Sequence, residues 1–339
     1  MRDAEGSAVF TECRCTVVIL NYNKRTLLRR NLEVVRDARA LPYDVEVVVV
    51  DNASIDGSAE MVRQEFPMVR LIASPRNVGV AQGRNLGLLV ARGEYILSVD
   101  EDTIVTPQQL DQLIGIAAAH PDAGIVAGMK VHASGAPLYD YHVPSPSTLG
   151  VGFFLVNELS LIEMGRALKR LLRLGDRIPH QTRDLVEIPY IGGGMMLVRR
   201  RAFQDVGPMD DRLFIFGEDF DWCYRFRKQG WKILYAPQVR VLSGFGVNAT
   251  RTRRASLIAL QSRRHLFEKH VGRKYLPIYV LLAGAGLLPK LAYYLGRSVR
   301  GRAPQDISIW EWFCQALRCI VGRGPRTWTD PPSGSPHVP

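Results

Sequence analysis

The chain has 339 residues, 47% of them hydrophobic, and its 44 Lys and Arg against 33 Asp and Glu give a net charge of +11. That length and apolar content can bury a full core and exclude a disordered chain, while the basic excess points to anionic partners: nucleotides, phosphorylated lipids or a membrane surface. No nucleic-acid-binding module is present, five cysteines without a CxxC pair suggest neither a zinc nor a disulfide framework, and Met1 to Phe10 lacks a signal peptide's apolar run. A reducing, cytosolic setting is the expectation.

Residues 1–13 are polar and expected to be flexible. Cys15 to Leu20 reads as a buried strand ending at Asn21-Tyr22-Asn23. Leu28, Leu32 and Val35 recur at helical spacing before Pro42. Val45 to Val50 is β-branched and nearly all apolar, as a strand covered on both faces should be, and it runs into Asp51-Asn52. Ser54 to Asp56 offer cap chemistry for a helix to about Phe66. Val69 to Ala73 is a further strand, and Gln82 to Gly87, with Arg84 and Asn85, opens another helix.

Tyr95 to Val99 is an apolar strand followed by Asp100, Glu101 and Asp102. Alternation along an extended chain would turn Asp100 and Asp102 to one side and Glu101 to the other. Two such carboxylates suit a hard cation shared with a substrate's phosphates; a solvated acidic turn is the competing reading. Thr106 and Pro107 form an N-cap and N1 pair for a helix that buries Leu110, Leu113, Ile114 and Ala117. Alternating strands and helices predict an α/β fold with a mainly parallel sheet, which binds ligands beyond the carboxyl ends of its strands. Asn21, Asp51, Asp100 and Asp102 all fall there.

From Lys130 to Glu187 the pattern weakens. A Pro/Ser-rich turn, Pro144 to Ser147, precedes an amphipathic stretch from Leu149 to Leu174 that reads as core helix or lid ahead of a lipid-lying helix. Gly192, Gly193 and Gly194 then mark a bend or a place where ligand approaches the backbone. Glu218, Asp219 and Asp221 open a helix whose last turn is basic, so they could serve simply as first-turn acids. Trp231 to Tyr235 and Val239 to Leu242 look like closing strands, and Arg251, Arg253 and Arg254 form a solvated face or a diphosphate clamp.

The ordered set VVILNYN, VVVVDNASIDGS, NVGVAQGRNLG, DED, GGGMMLVRR and FGEDFDWCYRFRKQGW resembles family 2 glycosyltransferases of the GT-A type, in particular bacterial rhamnosyltransferase-like enzymes, over about Thr16 to Leu242. The resemblance implies a Rossmann-like catalytic domain over 14–250. It also implies inverting transfer of a sugar from a nucleotide diphosphate donor to an acceptor hydroxyl. By the same resemblance Asp51, Asn21 and Asn23 lie at the nucleotide, Arg84 and Asn85 flank the donor, and Gly193 and Gly194 approach it. Asp102, with Asp100 shared between ribose and metal, would hold Mg2+ or Mn2+, and Asp219 would be the general base. Many relatives complete the metal site with a His after the Ala-Pro turn; here Leu242 and Ser243 stand there, leaving the ion to Asp102, phosphates and water, or part of its role to Arg251 or Arg253.

Tyr275 to Pro289 is apolar for 15 residues, short of the ~20 that a spanning helix needs. With Trp310, Phe313, Leu317 and Ile320 expected on one helical face, residues 251–322 read as a helical module attached to a membrane surface, with docking onto protein the alternative. Residues 323–339 read as a disordered tail. The expectation is therefore a glycosyltransferase at the cytoplasmic face of the plasma membrane, acting on a lipid-linked or glycan acceptor in cell-surface glycan assembly. The alternative is a catalytically weak homologue that binds nucleotide sugar and scaffolds a membrane complex.

Overall fold

The computed structural model describes residues 14–36, 41–138, 184–244, 253–299 and 307–325, and all side chains there except those of 289, 293 and 297–299. The expectations for 1–13, for the Leu149 to Leu174 stretch, for Arg251 and for most of the tail lie outside these residues. The described chain forms two compact units. The first comprises 14–36, 41–138, 184–211 and 222–244, and the second 212–221, 253–299 and 307–325.

The first unit is an eight-stranded sheet flanked by helices. In chain order it runs β1 (Cys15–Asn21), α1 (Arg25–Arg36), β2 (Val45–Asp51), α2 (Ser58–Glu65), β3 (Arg70–Ala73), α3 (Gly79–Leu88), β4 (Tyr95–Asp100), α4 (Pro107–Ala119), β5 (Ala123–Val131), β6 (Val186–Glu187), β7 (Met195–Arg199) and α5 (Arg200–Val206). After α6 (Glu218–Lys228), whose first turn groups with the second unit, β8 (Lys232–Leu242) completes the sheet. The strand order is β3-β2-β1-β4-β7-β5-β8-β6. β3, β2, β1 and β4 are parallel, as are β5 and β8, whereas β7 runs antiparallel to both its neighbours.

Two consequences of this topology build the site. Parallel register places Asn21 opposite Asp51 and Leu20 opposite Asp100, so three polar residues end adjacent strands on one rim. Because β7 is antiparallel, it starts where β4 ends, with Met195 opposite Val99; the glycines before it therefore arrive beside Asp100. The expected pair of closing strands is one strand, β8. Its register against β5 jumps from Ala236 to Arg240, an irregularity next to Pro237, which has no N–H to give to the ladder.

α4 begins as its sequence reads: Thr106 Oγ1 accepts from Gln109 N, the Gln109 side chain accepts from Thr106 N, and Leu110, Leu113, Ile114 and Ala117 are buried. α2 starts later than Ser54 to Asp56 suggested, at Ser58 behind Gly57. Asp56 instead accepts from the backbone N–H of both Arg25 and Ser58, serving the first turns of α1 and α2 at once. α3 lies tight on β1, where a Cβ on Gly87 would stand 2.3 Å from Val18 Cγ1. Glycine there lets the helix approach and brings its next residues down onto the sheet.

In the second unit α7 (Arg253–His270), α8 (Leu276–Val299) and α9 (Ile309–Ile320) enclose a core that includes Leu257, Phe267, Tyr279, Leu287, Trp312 and Ala316. Trp312 Nε1 donates to Ser256 Oγ at 2.7 Å, which pays the polar cost of burying the indole. One expectation is corrected here. The helix is not confined to the apolar run that ends at Pro289: α8 continues past Lys290 to Val299, 24 residues in all, and Pro277 is tolerated in its first turn, where no N–H is needed. It is long and apolar enough to cross a membrane by length and composition, and 25% of its apolar window is buried. On α9 the buried face is Trp312, Ala316, Cys319 and Ile320, while Trp310 and Leu317 are exposed and Trp310 stacks on Phe313. Trp310, Phe313 and Leu317, spaced three and four residues apart, thus lie along one side of α9, and Trp312 fills the core from the other.

Candidate active site

The rim is laced from the loops after β1 and β2. Asn21 Nδ2 donates to Asp51 Oδ1 at 2.9 Å and to Ser54 Oγ at 3.1 Å, and Asp51 Oδ2 accepts from Ser54 N at 3.0 Å. Both side chains are buried. Asn23, in the left-handed region at φ 53°, donates its N–H to Ser54 Oγ and accepts from Ile55 N on its side chain. An Asn tolerates that backbone conformation better than a branched residue. Asn52, which sequence reasoning left without a role, donates to Asn77 Oδ1 and Gly79 O and accepts from Val78 N, tying this rim to the start of α3.

α3 carries Arg84 inward. Its Nη2 donates to Asp100 Oδ1 at 2.6 Å, with the Arg84 side chain 3% exposed and that of Asp100 35% exposed. A Cβ on Gly193 would fall 2.2 Å from Arg84 Nη1. Asn85 turns elsewhere: its amide both donates to Met209 O and accepts from Met209 N, each at 2.9 Å, bracing α3 against the chain after α5.

The strand carrying the acidic triplet ends at Asp100, and Glu101 and Asp102 lie in a turn closed by Thr103 N donating to Asp100 O. The strand alternation expected for the triplet therefore does not extend past Asp100. Asp102 Oδ1 accepts from Thr103 Oγ1 at 3.3 Å, and Thr103 Oγ1 lies 2.8 Å from Ser243 Oγ. Ser243 thus sits beside the acidic turn. Burial, then the neighbouring charges of Asp100 and Asp102, push the Glu101 carboxyl up to about 8.

Sequence reasoning missed Lys130, at the end of β5. A Cβ on Gly194 would lie 2.3 Å from Lys130 Nζ and 3.2 Å from Asp100 Oδ2. Gly193 and Gly194 thus leave room for two cationic head groups. Neither glycine has positive φ, so close approach rather than backbone freedom requires them. The available signal was a lone charged residue in an otherwise apolar strand, AGIVAGMKV.

Asp219 belongs to the second unit, in the first turn of α6 after Phe216 and Gly217, both at positive φ. Its carboxylate accepts from Phe220 N at 2.7 Å. Asp221 is fully buried, with Lys269 Nζ at 2.7 Å and His270 Nε2 at 2.8 Å from its Oδ1. Arg253 is not a diphosphate clamp: it is buried, donates to Ile307 O and packs over the Tyr294 ring.

Among the described residues no group of three or more His, Cys, Asp and Glu could enclose a metal. The donor set suits a hard divalent ion held as Mg2+ commonly is, by one or two carboxylates together with substrate phosphates and water. Of the two carboxylates, Asp100 faces Arg84 and Asp102 accepts from Thr103 Oγ1.

The sequence pattern of glycosyl transferase family 2 matches residues 16–207. The chain belongs to that family. It is a glycosyltransferase with the GT-A fold. The glycosyltransferase is 27% identical over 282 residues to the N-acetylglucosaminyl-diphospho-decaprenol L-rhamnosyltransferase of Mycobacterium tuberculosis, covering 79% of this chain and 89% of that one. It is 21% identical to the low-salt glycan biosynthesis hexosyltransferase Agl10 of Haloferax volcanii, covering 79% and 82%. In fold it resembles the mannosyltransferase PcManGT from Pyrobaculum calidifontis, solved with GDP-Man and Mn2+, with TM-score 0.51, 17% identity and coverage of 91% and 85%. GalNAc-T7 with UDP, GalNAc and Mn2+ is a second neighbour, with TM-score 0.53, 18% identity, 76% of this chain and 48% of that one.

Proposed function

We propose that this glycosyltransferase moves a hexose or deoxyhexose, with inversion, from a nucleotide diphosphate sugar to a hydroxyl of a lipid-linked or glycan acceptor in cell-surface glycan assembly. The observation that carries the reading is the gathering of Asn21, Asp51 and Asp100 on adjacent strand ends, with Arg84 bonded to Asp100. Asn21, Asn23 and Asp51 form the nucleoside side of the site. Arg84, Gly193 and Gly194 build the donor floor, with Asn85 bracing α3 behind it through Met209, and Asp100 faces ribose or the metal shell. Asp102 would hold Mg2+ or Mn2+, whose contribution is to neutralise charge developing on the departing diphosphate. Asp219 takes the proton of the acceptor hydroxyl as its oxygen bonds to the anomeric carbon, while the bond from that carbon to the diphosphate oxygen breaks on the opposite face.

The decaprenol-linked substrate named for the M. tuberculosis relative supports a lipid-linked acceptor. α8, with its largely uncovered apolar window, supports attachment to a membrane, and a cytoplasmic-face location follows from use of nucleotide donors. The test is release of nucleoside diphosphate when the purified protein meets UDP-, GDP- and dTDP-sugars with a polyprenyl-diphosphate-linked saccharide. Turnover dependent on the acceptor for at least one donor is the expected result, and none for any pairing would contradict the reading.

A further inference from the structure

We propose that Lys130 is a donor-binding residue whose ammonium, seated against Gly194 beside Asp100, contacts the diphosphate of the nucleotide sugar. The inference rests on the donor site described above and assigns to it a residue that lies outside the sequence segments on which the family resemblance was drawn.

The placement is specific. β5 is buried along nearly its whole length, and its one charged residue comes next to last, at the rim. Burying a lysine's stem while its head reaches a polar rim is the low-cost way to carry charge out of such a strand. The head group lies where a Cβ on Gly194 would be, 2.3 Å from that point, and Asp100 Oδ2 lies 3.2 Å from the same point. Asp100 is thus approached from two sides, by Arg84 Nη2 at Oδ1 and by the Lys130 ammonium near Oδ2. Lys130 also lines a small pocket together with Gly192 and Tyr235.

Charge counting favours an anionic ligand. A turn presenting Asp100 and Asp102 alone would repel a diphosphate. Arg84, bonded to Asp100, and Lys130, beside it, offset the charge of those two carboxylates. A diphosphate therefore meets a turn whose repulsion is reduced, with an ammonium as a compact donor.

The test compares binding of UDP, GDP and dTDP, and of the matching nucleosides by NMR titration, to full-length wild type, Lys130→Met, Lys130→Arg and Gly194→Ala, with thermal melting to verify folding. For the diphosphate that wild type binds, Lys130→Met should weaken affinity about tenfold or more, with nucleoside affinity changed less than about twofold, and Lys130→Arg should recover most of the loss. Gly194→Ala, which keeps the lysine but displaces its head group, should show the same selective loss. Equal diphosphate affinity in Lys130→Met and wild type would overturn the proposal, as would parallel loss of diphosphate and nucleoside, the signature of a merely structural lysine. If wild type bound none of the three diphosphates, the donor-site reading itself would fall, and the Lys130 assignment with it.

Discussion

The guanidinium of Arg84 and the carboxylate of Asp100 meet at 2.6 Å, although one sits on a helix and the other at the end of a strand. Arg84 is almost wholly buried, so Asp100 is its route to charge balance as well as a candidate donor contact. Asp100→Asn, nearly isosteric, should therefore destabilise the protein by about 3 kcal/mol, the lower end for breaking a buried pair, because Asp100 keeps some solvent contact. Urea denaturation measures this; a change under ~1 kcal/mol would mean that the pair is worth no more than a surface one.

A second prediction concerns pH. Burial raises the Asp56 carboxyl, but hydrogen bonds from the Ser58 side chain and from the backbone of Arg25 and Ser58 outweigh it, and the net shift is downward. A carboxyl lowered in the folded state stabilises above its unfolded value of ~3.9 and loses that contribution as pH falls through the lower folded value. Asp56→Ala should cost about 1–2 kcal/mol at neutral pH, where it removes caps from two helices. In the most acidic buffer that leaves wild type folded, the gap between their urea midpoints should shrink; a constant gap would show that the cap acts without its charge.

Cysteine labelling tests the helical unit. Burial pushes the Cys319 thiol up to about 11, and Cys15 and Cys223 are likewise buried, whereas Cys314 is exposed. Iodoacetamide on the native protein at mildly alkaline pH should modify Cys314 at least about tenfold faster than Cys319, since the thiolate is the nucleophile. Mass spectrometry of tryptic peptides reads the ratio. Equal rates would show that α9 does not keep Cys319 covered.

Leu281 and Leu288 are 73% and 65% exposed on α8, an arrangement that suits lipid rather than water. Replacing both with Asp should reduce flotation with anionic phospholipid vesicles severalfold without lowering the melting temperature, because neither side chain lies in the helical core. Unchanged flotation would remove α8 from the membrane reading.

What the sequence made legible was local. The β-branched runs became β1, β2 and β4, and their polar ends formed the rim, because continuous apolar strands need cover on both faces and leave only their termini for chemistry. The start of α4 was readable from two adjacent residues, Thr106 at the N-cap and Pro107 at N1. Long-range relationships were not readable in this way. The antiparallel insertion of β7, the Asn85 brace to Met209 at a separation of 124 residues, and the meeting of Lys130 with Gly194 depend on strand order, which periodicity does not encode. The placement of Asp102 by alternation went astray for a related reason: the chain turns after Asp100, and a period of two holds only while the chain stays extended. The length of α8 was hidden for a different reason: the apolar count ended before Lys290, but a lysine interrupts an apolar run without ending a helix, which continues to Val299.

On the proposed reading, Asp219 is the base of a working transferase. The most direct measurement is acceptor-dependent release of nucleoside diphosphate by wild type and Asp219→Asn, with nucleoside diphosphate binding measured in parallel. Transfer reduced about 10²–10⁴-fold with binding retained is the predicted result. Equal transfer rates in the two proteins would contradict it.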